Sequence, residues 1–281
     1  VSWLSRRRRR VSPGSDAKTA TLPQPSREAL PAALRLLQHG EPLPDTLQGW
    51  LETTLSMAAA AAGGAAPAAD PRTLRVRLDG MPDWWAASGN VLLAAADSAP
   101  IVPEPAFVFE RPTNCLVVLG SRVKLHRLVC MGEGGLVAVG EGANLWGVSL
   151  SIIGPTTIMI GEKTTATFDA SLDARNGGSI LVGADGMWGA GIRIITDDMH
   201  AIRDRATGQR INPMGGRIVI EPHVWLAEQV RIIGGCRIGE GGVVGTGSLV
   251  TGRDLPAHSV SVGRPARPVR DNIVWSREDA P

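Results

Sequence analysis

One of the chain's five histidines stands apart by its neighbours. His200 closes the run Thr196-Asp197-Asp198-Met199-His200, and arginines follow at 203, 205 and 210. A neutral imidazole with a pKa near ~6.5 can take a proton from a hydroxyl at neutral pH, the work of a general base. Asp197 or Asp198 could orient the ring or hold a hydroxyl-bearing ligand; the plainer alternative is a solvated loop residue. Of the others, His39 ends a helix, where a cation suits the dipole. His126 and His258 sit in plain coil or loop, and His223 reads as a corner residue beside Trp225. A zinc site needs three convergent ligands, and no such spacing occurs, so no metal is expected. Cys115, Cys130 and Cys236 are odd in number and form no CxxC pair. They read as free thiols of a reducing, cytoplasmic setting, and none has the paired base that a nucleophile requires.

The elements that must position these residues show themselves by period. Ile220, Leu226, Ile232, Ile238, Val244 and Val250 are aliphatic and six residues apart. Four residues after each come Val224, Val230, Cys236, Gly242, Ser248 and Asp254, of which five are small or β-branched. The period returns upstream in broken phase, as Ile160, Ala166, Leu172, then Val182, Trp188, Ile194, with Val139 and Leu145 hinting at an earlier run. Strands repeat every two residues, so a flat face plus a corner closes in six, and three faces make an eighteen-residue triangular coil. Aliphatics point into the prism and coils stack through parallel backbone hydrogen bonds. The expected fold is therefore mainly β, a left-handed parallel β-helix, which departs from the right-handed crossover rule. His200 lies where this period breaks: Ile194 and Ile220 are 26 residues apart, four hexapeptides plus two. An insertion that lifts a histidine out of the coil stack reads as functional.

The rest of the chain sets the boundaries. It has 281 residues with 43% hydrophobic, 34 glycines, no tyrosine and three phenylalanines, so its core must be aliphatic. A formal net charge of +2 excludes a protein whose whole surface binds nucleic acid. Residues 1–25 read as a disordered basic tail, whose Arg6–Arg10 run offers at most a weak contact with an anionic membrane surface. Residues 26–110 read as a helical extension and connecting region. Ser26 caps a first helix carrying Leu30, Leu34 and Leu37, and Leu47, Trp50, Leu51 and Leu55 line one face of a second. A short strand is expected over Leu74–Leu78, and Trp84 and Trp85 are expected to cover the end of a core. The β-helix is expected over 111–255 and a tail packing on it over 256–281. No stretch reaches the length of apolar residues that a membrane helix needs, and no apolar segment follows the basic run as in a signal peptide.

Three stretches resemble a known family. Thr196-Asp-Asp-Met-His200 is similar to the histidine loop of the hexapeptide-repeat acyltransferases, specifically the sugar and polysaccharide O-acetyltransferases. Val224-Trp225-Leu226-Ala227 resembles their Val-Trp-Ile-Gly. Gly245-Thr-Gly-Ser-Leu-Val250 and Ser259-Val-Ser-Val-Gly-Arg-Pro-Ala-Arg267 resemble their Gly-Ala-Gly-Ser-Val-Val and Gly-Asn-Pro-Ala-Lys. The resemblance covers roughly residues 115–275. It implies a homotrimer with acetyl-CoA in the groove between subunits, a carbohydrate acceptor, and His200 as catalytic base. It implies that Trp225 lies by the histidine and acceptor; packing on the outer face is the alternative. Gly247 and Ser248 would let pantetheine approach the backbone, while Thr251, Arg253, Arg264, Pro265, Ala266 and Arg267 form the tail motif, whose arginines suit the three phosphate groups of coenzyme A. Arg264 stands where the family has Asn, Ala227 where it has Gly, and Thr251-Gly-Arg253-Asp254 is one residue longer than Thr-Lys-Asp.

Two other readings compete. One is transfer to an amino sugar or amino acid, against which stands the lack of an N-terminal dinucleotide-like βαβ unit. The other is a non-catalytic β-helix scaffold, which predicts neither coenzyme A binding nor any effect of losing His200.

Overall fold

The computed structural model describes residues 32–61, 69–105 and 110–279; the Arg6–Arg10 run and Ser26 lie outside them. The chain is a left-handed parallel β-helix with three faces. Val91–Ala95, Thr113–Leu119, Glu133–Val139, Thr156–Ile160, Ser179–Val182, Arg217–Ile220 and Cys236–Ile238 stack in parallel as the first face. The antiparallel strand Leu74–Val76 closes its N-terminal edge, three residues of the five expected there. Thr165–Ala166, Met187–Trp188, Trp225–Leu226, Val243–Val244 and Val260–Gly263 form the second face. The third runs through the later parts of Lys124–Met131 and Asn144–Ile153 to Ala170–Arg175, Arg193–Ile195, Arg231–Ile233 and Leu249–Thr251. Parallel ladders thus begin at Val91, inside the region read from sequence as connecting chain.

The six-residue period becomes an eighteen-residue register. Ile220 pairs with Ile238, Leu226 with Val244 and Ile232 with Val250, and all six side chains are buried in one interior stack. Trp188 is the large member of that stack. It fits because its register partner in the preceding coil is Ala166. Burying interior aliphatics of this kind contributes about 1.5–3 kcal/mol each. Trp85, fully buried, joins the same stack from the N-terminal side.

The first face is apolar on its outer side too. Helices α1 (Ala32–Leu36) and α2 (Asp45–Ala61) lay Leu34, Leu47, Leu51 and Leu55 against Leu116, Val118, Leu136 and Leu181. Covered on both sides, these strands read as unbroken apolar runs such as Leu116-Val-Val-Leu119 and not as alternating ones. The N-terminal helices therefore armour one side of the prism. Among the described residues no helix is long and apolar enough to cross a membrane.

Candidate active site

The histidine loop is an insertion into one coil. Ser179 pairs with Arg217, 38 residues on, whereas the next coil needs only 18 from Ile218 to Cys236. The chain leaves the third face at Thr196 and rejoins the first face at Arg217. Both ends are clamped. The Thr196 hydroxyl is buried, accepting the Arg175 amide at 2.8 Å and donating to the Arg175 carbonyl at 3.2 Å, and the Gly216 amide donates to the Thr196 carbonyl at 2.9 Å. Gly215 and Gly216 allow the re-entry. Added Cβ atoms would lie 2.1 Å from the Asn176 carbonyl oxygen and 2.5 Å from the Gly235 nitrogen.

Asp197 holds the loop from within. It is 3% exposed. Its Oδ2 accepts the Asn176 side-chain amide at 2.8 Å and the Gly215 amide at 3.1 Å, and its Oδ1 accepts the Met199 amide at 2.7 Å. Burial alone would push this carboxyl up. The hydrogen bonds from Asn176, Met199 and Gly215, with Arg175 nearby, outweigh it and hold the group below the ordinary carboxylate value. Both oxygens of Asp197 are thus engaged by loop anchors. Met199 takes a left-handed turn, φ 66°, and the His200 amide donates to the Asp198 carbonyl at 2.8 Å. Asn212 ties the two limbs together. Its side-chain amide donates to the His200 carbonyl at 2.8 Å and reaches Asp198 Oδ2 at 3.3 Å, while its own oxygen accepts the Ile202 amide at 2.7 Å. The His200 imidazole stands exposed, with no ring hydrogen bond among the described residues. Met199, Ile202, Ile211 and Met214 of the same loop also expose apolar surface.

The remaining site residues lie elsewhere on the prism. Thr251 ends the third-face strand Leu249–Thr251 and Arg253 follows it, two coils beyond the loop on the same edge. Gly247 and Ser248 turn the edge between second and third faces, where Arg264 Nε donates to the Gly247 carbonyl at 2.7 Å and the Gly263 amide to Ser248 Oγ at 3.1 Å. Pro265 follows a cis bond, and Ala266–Arg270 runs back antiparallel to Val260–Gly263 with Ala266 buried and Arg267 exposed. Trp225 faces outward from the second face, half-buried, with Trp275 tilted against it at 5.9 Å between ring centroids. The structure therefore brings Gly247, Ser248 and Arg264 together, but sets His200 on the edge opposite Trp225 within one chain.

Sequence reading missed Asn176 and Asn212, whose role depends on side-chain direction inside an insertion. It also missed a cluster that the C-terminal segment builds on the prism. His223, at a corner with φ 55°, places Nδ1 2.6 Å from Asp185 Oδ2 and Nε2 3.1 Å from the Trp275 carbonyl. The Trp275 indole stacks on it at 4.0 Å, and Arg277 Nε donates to Asp185 Oδ1 at 2.9 Å. The three cysteines are buried and free. Burial, with Asp254 nearby, pushes the Cys236 thiol up to about 12, and Cys130, beside Cys115, is also raised, so neither offers a thiolate at neutral pH.

The fold has counterparts. The chain is 30% identical over 165 residues to the polysialic acid O-acetyltransferase of Neisseria meningitidis, covering 59% of this chain and 73% of that protein. It is 30% identical over 124 residues to the polysialic acid O-acetyltransferase of Escherichia coli O1:K1, covering 43% and 39%. The chain spans about two fifths of the length of the first curated relatives it matches, 42% and 39%. In three dimensions it resembles the polySia-specific acetyltransferase NeuO, with a TM-score of 0.56 and 25% identity over 63% of this chain and 80% of that one. No family model matches the chain.

Proposed function

The chain belongs to the hexapeptide-repeat acyltransferases, and on that premise we propose that it transfers an acetyl group from acetyl-CoA to a hydroxyl of a carbohydrate. The observation that carries this reading is the exposed His200 imidazole on a loop clamped to the prism at both ends. His200 takes the proton of the acceptor hydroxyl as its oxygen attacks the thioester carbonyl. The tetrahedral intermediate collapses, the carbon–sulfur bond breaks, and coenzyme A leaves as the thiol after taking up a proton. The acetyl group passes directly, without an acyl-enzyme. The buried, protonated Cys130 and Cys236 support a mechanism that uses no thiolate.

The separation of His200 from Trp225 supports a shared site. A second copy can lay its second face, with Trp225 and the Gly247–Arg264 edge, against the histidine loop of the first. The exposed Met199, Ile202, Ile211 and Met214 supply apolar surface for that contact. A cyclic trimer closes this head-to-tail relation. Coenzyme A would lie along the Gly247–Ser248 edge, with Arg253, Arg264 and Arg267 near its phosphates.

Calorimetric titration of acetyl-CoA tests the class, and His200→Ala tests the base. The variant should fold, bind coenzyme A and lose roughly 10²–10⁴ in turnover. Near-normal turnover removes His200 from the role. No binding of coenzyme A by the folded wild-type protein sinks the acyltransferase reading.

A further inference from the structure

The corners between first and second faces repeat one left-handed turn. Lys163, Asp185, His223, Gly241 and His258 hold the same place in successive coils, with φ between 49° and 65°. The amides of the last four each donate to the corner of the coil before. These corners form one column, and residues 271–279 run along it as a strap. The Ile273 amide donates to the His258 carbonyl at 2.9 Å, Trp275 lies on His223, and Arg277 reaches Asp185, Thr165 Oγ1 at 2.8 Å and the Gly186 carbonyl at 3.0 Å.

At the middle of the strap the hydrogen bonds fix a protonation state. His223 Nδ1 stands 2.6 Å from Asp185 Oδ2, and Nε2 stands 3.1 Å from the Trp275 carbonyl. A carboxylate and a carbonyl only accept, so both ring nitrogens must donate, and a ring that donates twice is the imidazolium. Asp185 is ionised here: Arg277 donates to its other oxygen, and the bonds from His223 and Arg277 outweigh burial and hold its pKa below the ordinary value. A neutral ring that keeps the Asp185 bond turns its Nε2 lone pair toward the carbonyl. The bond to Trp275 is therefore present while the ring is charged and lost as pH rises through its titration. Asp185 bonds the ring directly and Arg277 bonds Asp185. Farther along the column and its flanks stand Lys163 paired with Glu162, Glu221 paired with Arg237, Glu240, and His258, whose ring folds over Gly241. The strap itself adds Asp271, Glu278 and Asp279.

The strap ends its chain of contacts on Trp225. Trp275 is 8% exposed, stacked on the His223 ring at 4.0 Å, with its indole Nε1 donating to the His223 carbonyl at 3.0 Å. From that fixed position it meets the half-buried Trp225 indole at 5.9 Å and 47°. We propose that the C-terminal segment is a protonation-held strap, in which the His223 imidazolium fixes Trp275 and Trp275 sets the orientation of the Trp225 indole, so that His223 and Trp275 are positioning residues for the site. The catalytic consequence rests on the shared-site reading above; the strap is tested without it.

The strap is read by fluorine NMR of the full chain labelled with 5-fluorotryptophan, from pH 5.5 to pH 9. Single replacements by Phe assign the Trp225 and Trp275 resonances. Both should move together with one midpoint, and the Trp275 indole N–H should exchange about tenfold faster at the upper end, relative to free indole at the same pH, for the loss of one hydrogen bond. His223→Asn does not titrate and tolerates the left-handed turn. It should leave both resonances flat, at the positions wild type reaches at high pH. His258→Asn should keep the wild-type titration. A Trp225 resonance that does not move in wild type overturns the proposal, whether or not the variant folds, and so does a titration that survives in His223→Asn. Acetyl transfer is the separate arm. Trp275→Leu should lower kcat between about ten- and a hundredfold, leave the calorimetric Kd for coenzyme A unchanged, and add nothing to the loss caused by Trp225→Leu. Additive losses would show that Trp275 only packs and would overturn its positioning role. A coupled titration in a protein that transfers no acetyl group would keep the strap and sink the acetyl-transfer reading.

Discussion

Replacing Asp197 by Asn separates loop anchoring from coil stacking. The carboxylate accepts three hydrogen bonds in a nearly buried position, two on Oδ2 and one on Oδ1. An asparagine has one oxygen and one NH2. If its oxygen keeps Asn176 and Gly215, its NH2 faces the Met199 amide, donor against donor; turned over, it faces the other two. Hydrogen bonds to a charged group are worth about 1.5–3 kcal/mol each, and a buried donor left unpaired costs a further ~1–3 kcal/mol. A loss of about 3–4 kcal/mol from the loop's anchoring is therefore expected, equivalent to ~10²–10³ in the population of the anchored loop. The prism should not register it, because its ladders on either side of the insertion, Ile194 to Ile232 and Ile218 to Cys236, do not pass through Asp197. The assay is limited trypsin digestion, since Arg203, Arg205 and Arg210 all lie in the loop. Asp197→Asn should be cut there much faster than wild type, lose acetyl transfer by a similar factor, and melt at nearly the same temperature. Unchanged cleavage would refute the anchoring role. A melt lowered in proportion would show that loop and prism unfold together, against the reasoning given.

Other consequences follow from the packing and the charges. Trp188→Ala should cost about 3–5 kcal/mol in a chemical denaturation measurement, while Ala166→Leu should cost ~1–3 kcal/mol by overfilling the same stack. Combined with Trp188→Leu, Ala166→Leu should be less harmful than alone, because volume is conserved across the register pair. Burial works to raise the Asp185 carboxyl, but bonds from His223 and Arg277 outweigh it and leave its pKa below the ordinary value of 3.8. The sign then follows: its contribution is complete above that ordinary value and is lost as pH falls through the lower, folded-state value. Hydrogen exchange over residues 272–278 should stay slow at pH 5 and rise only in stronger acid, and Asp185→Asn should make it fast at both. Sedimentation should give a trimer that weakens when Met199, Ile202, Ile211 and Met214 are made polar.

How much could be read beforehand depended on whether a residue's role is periodic. Ile220 through Val250 were legible because in that stretch every coil has eighteen residues and the interior phase never slips. Asp254, the one member of the second series that is neither small nor β-branched, stands where the period ends: Leu255 pairs with Ile238 across seventeen residues, and Asp254 turns outward to accept the Arg237 amide. Upstream, Leu116 to Leu136 is twenty residues and Val91 to Leu116 twenty-five, so the phase is lost among corners of unequal length. The apolar stripe of α2 was visible, but its partner was not. The outer positions Leu116, Val118 and Leu136 sit within continuous aliphatic runs, where inside and outside look alike. In the site, the types and spacing of His200 and its aspartates marked the loop. The direction of the Asp197 side chain, and the service of Asn176 and Asn212, come from chain folding within the insertion, for which no period exists.

The clamp at Thr196 and Gly216 has a consequence for how such a chain can diversify. Because the ends of the insertion are bonded to each other and to Asn176 and Arg175 on the neighbouring coil, what lies between them can change in length and composition without asking the coils to re-register. Mutations in that span face little selection for stability and are judged mainly by what they recognise. The α1–α2 side is the reverse: its buried apolar residues, Leu34, Leu47, Leu51 and Leu55, are shared between helix and sheet, so a substitution there must satisfy both. Homologous chains should therefore drift fastest between Arg203 and Arg210, clear of His200 and Asn212, and slowest along the Leu51–Leu116 seam.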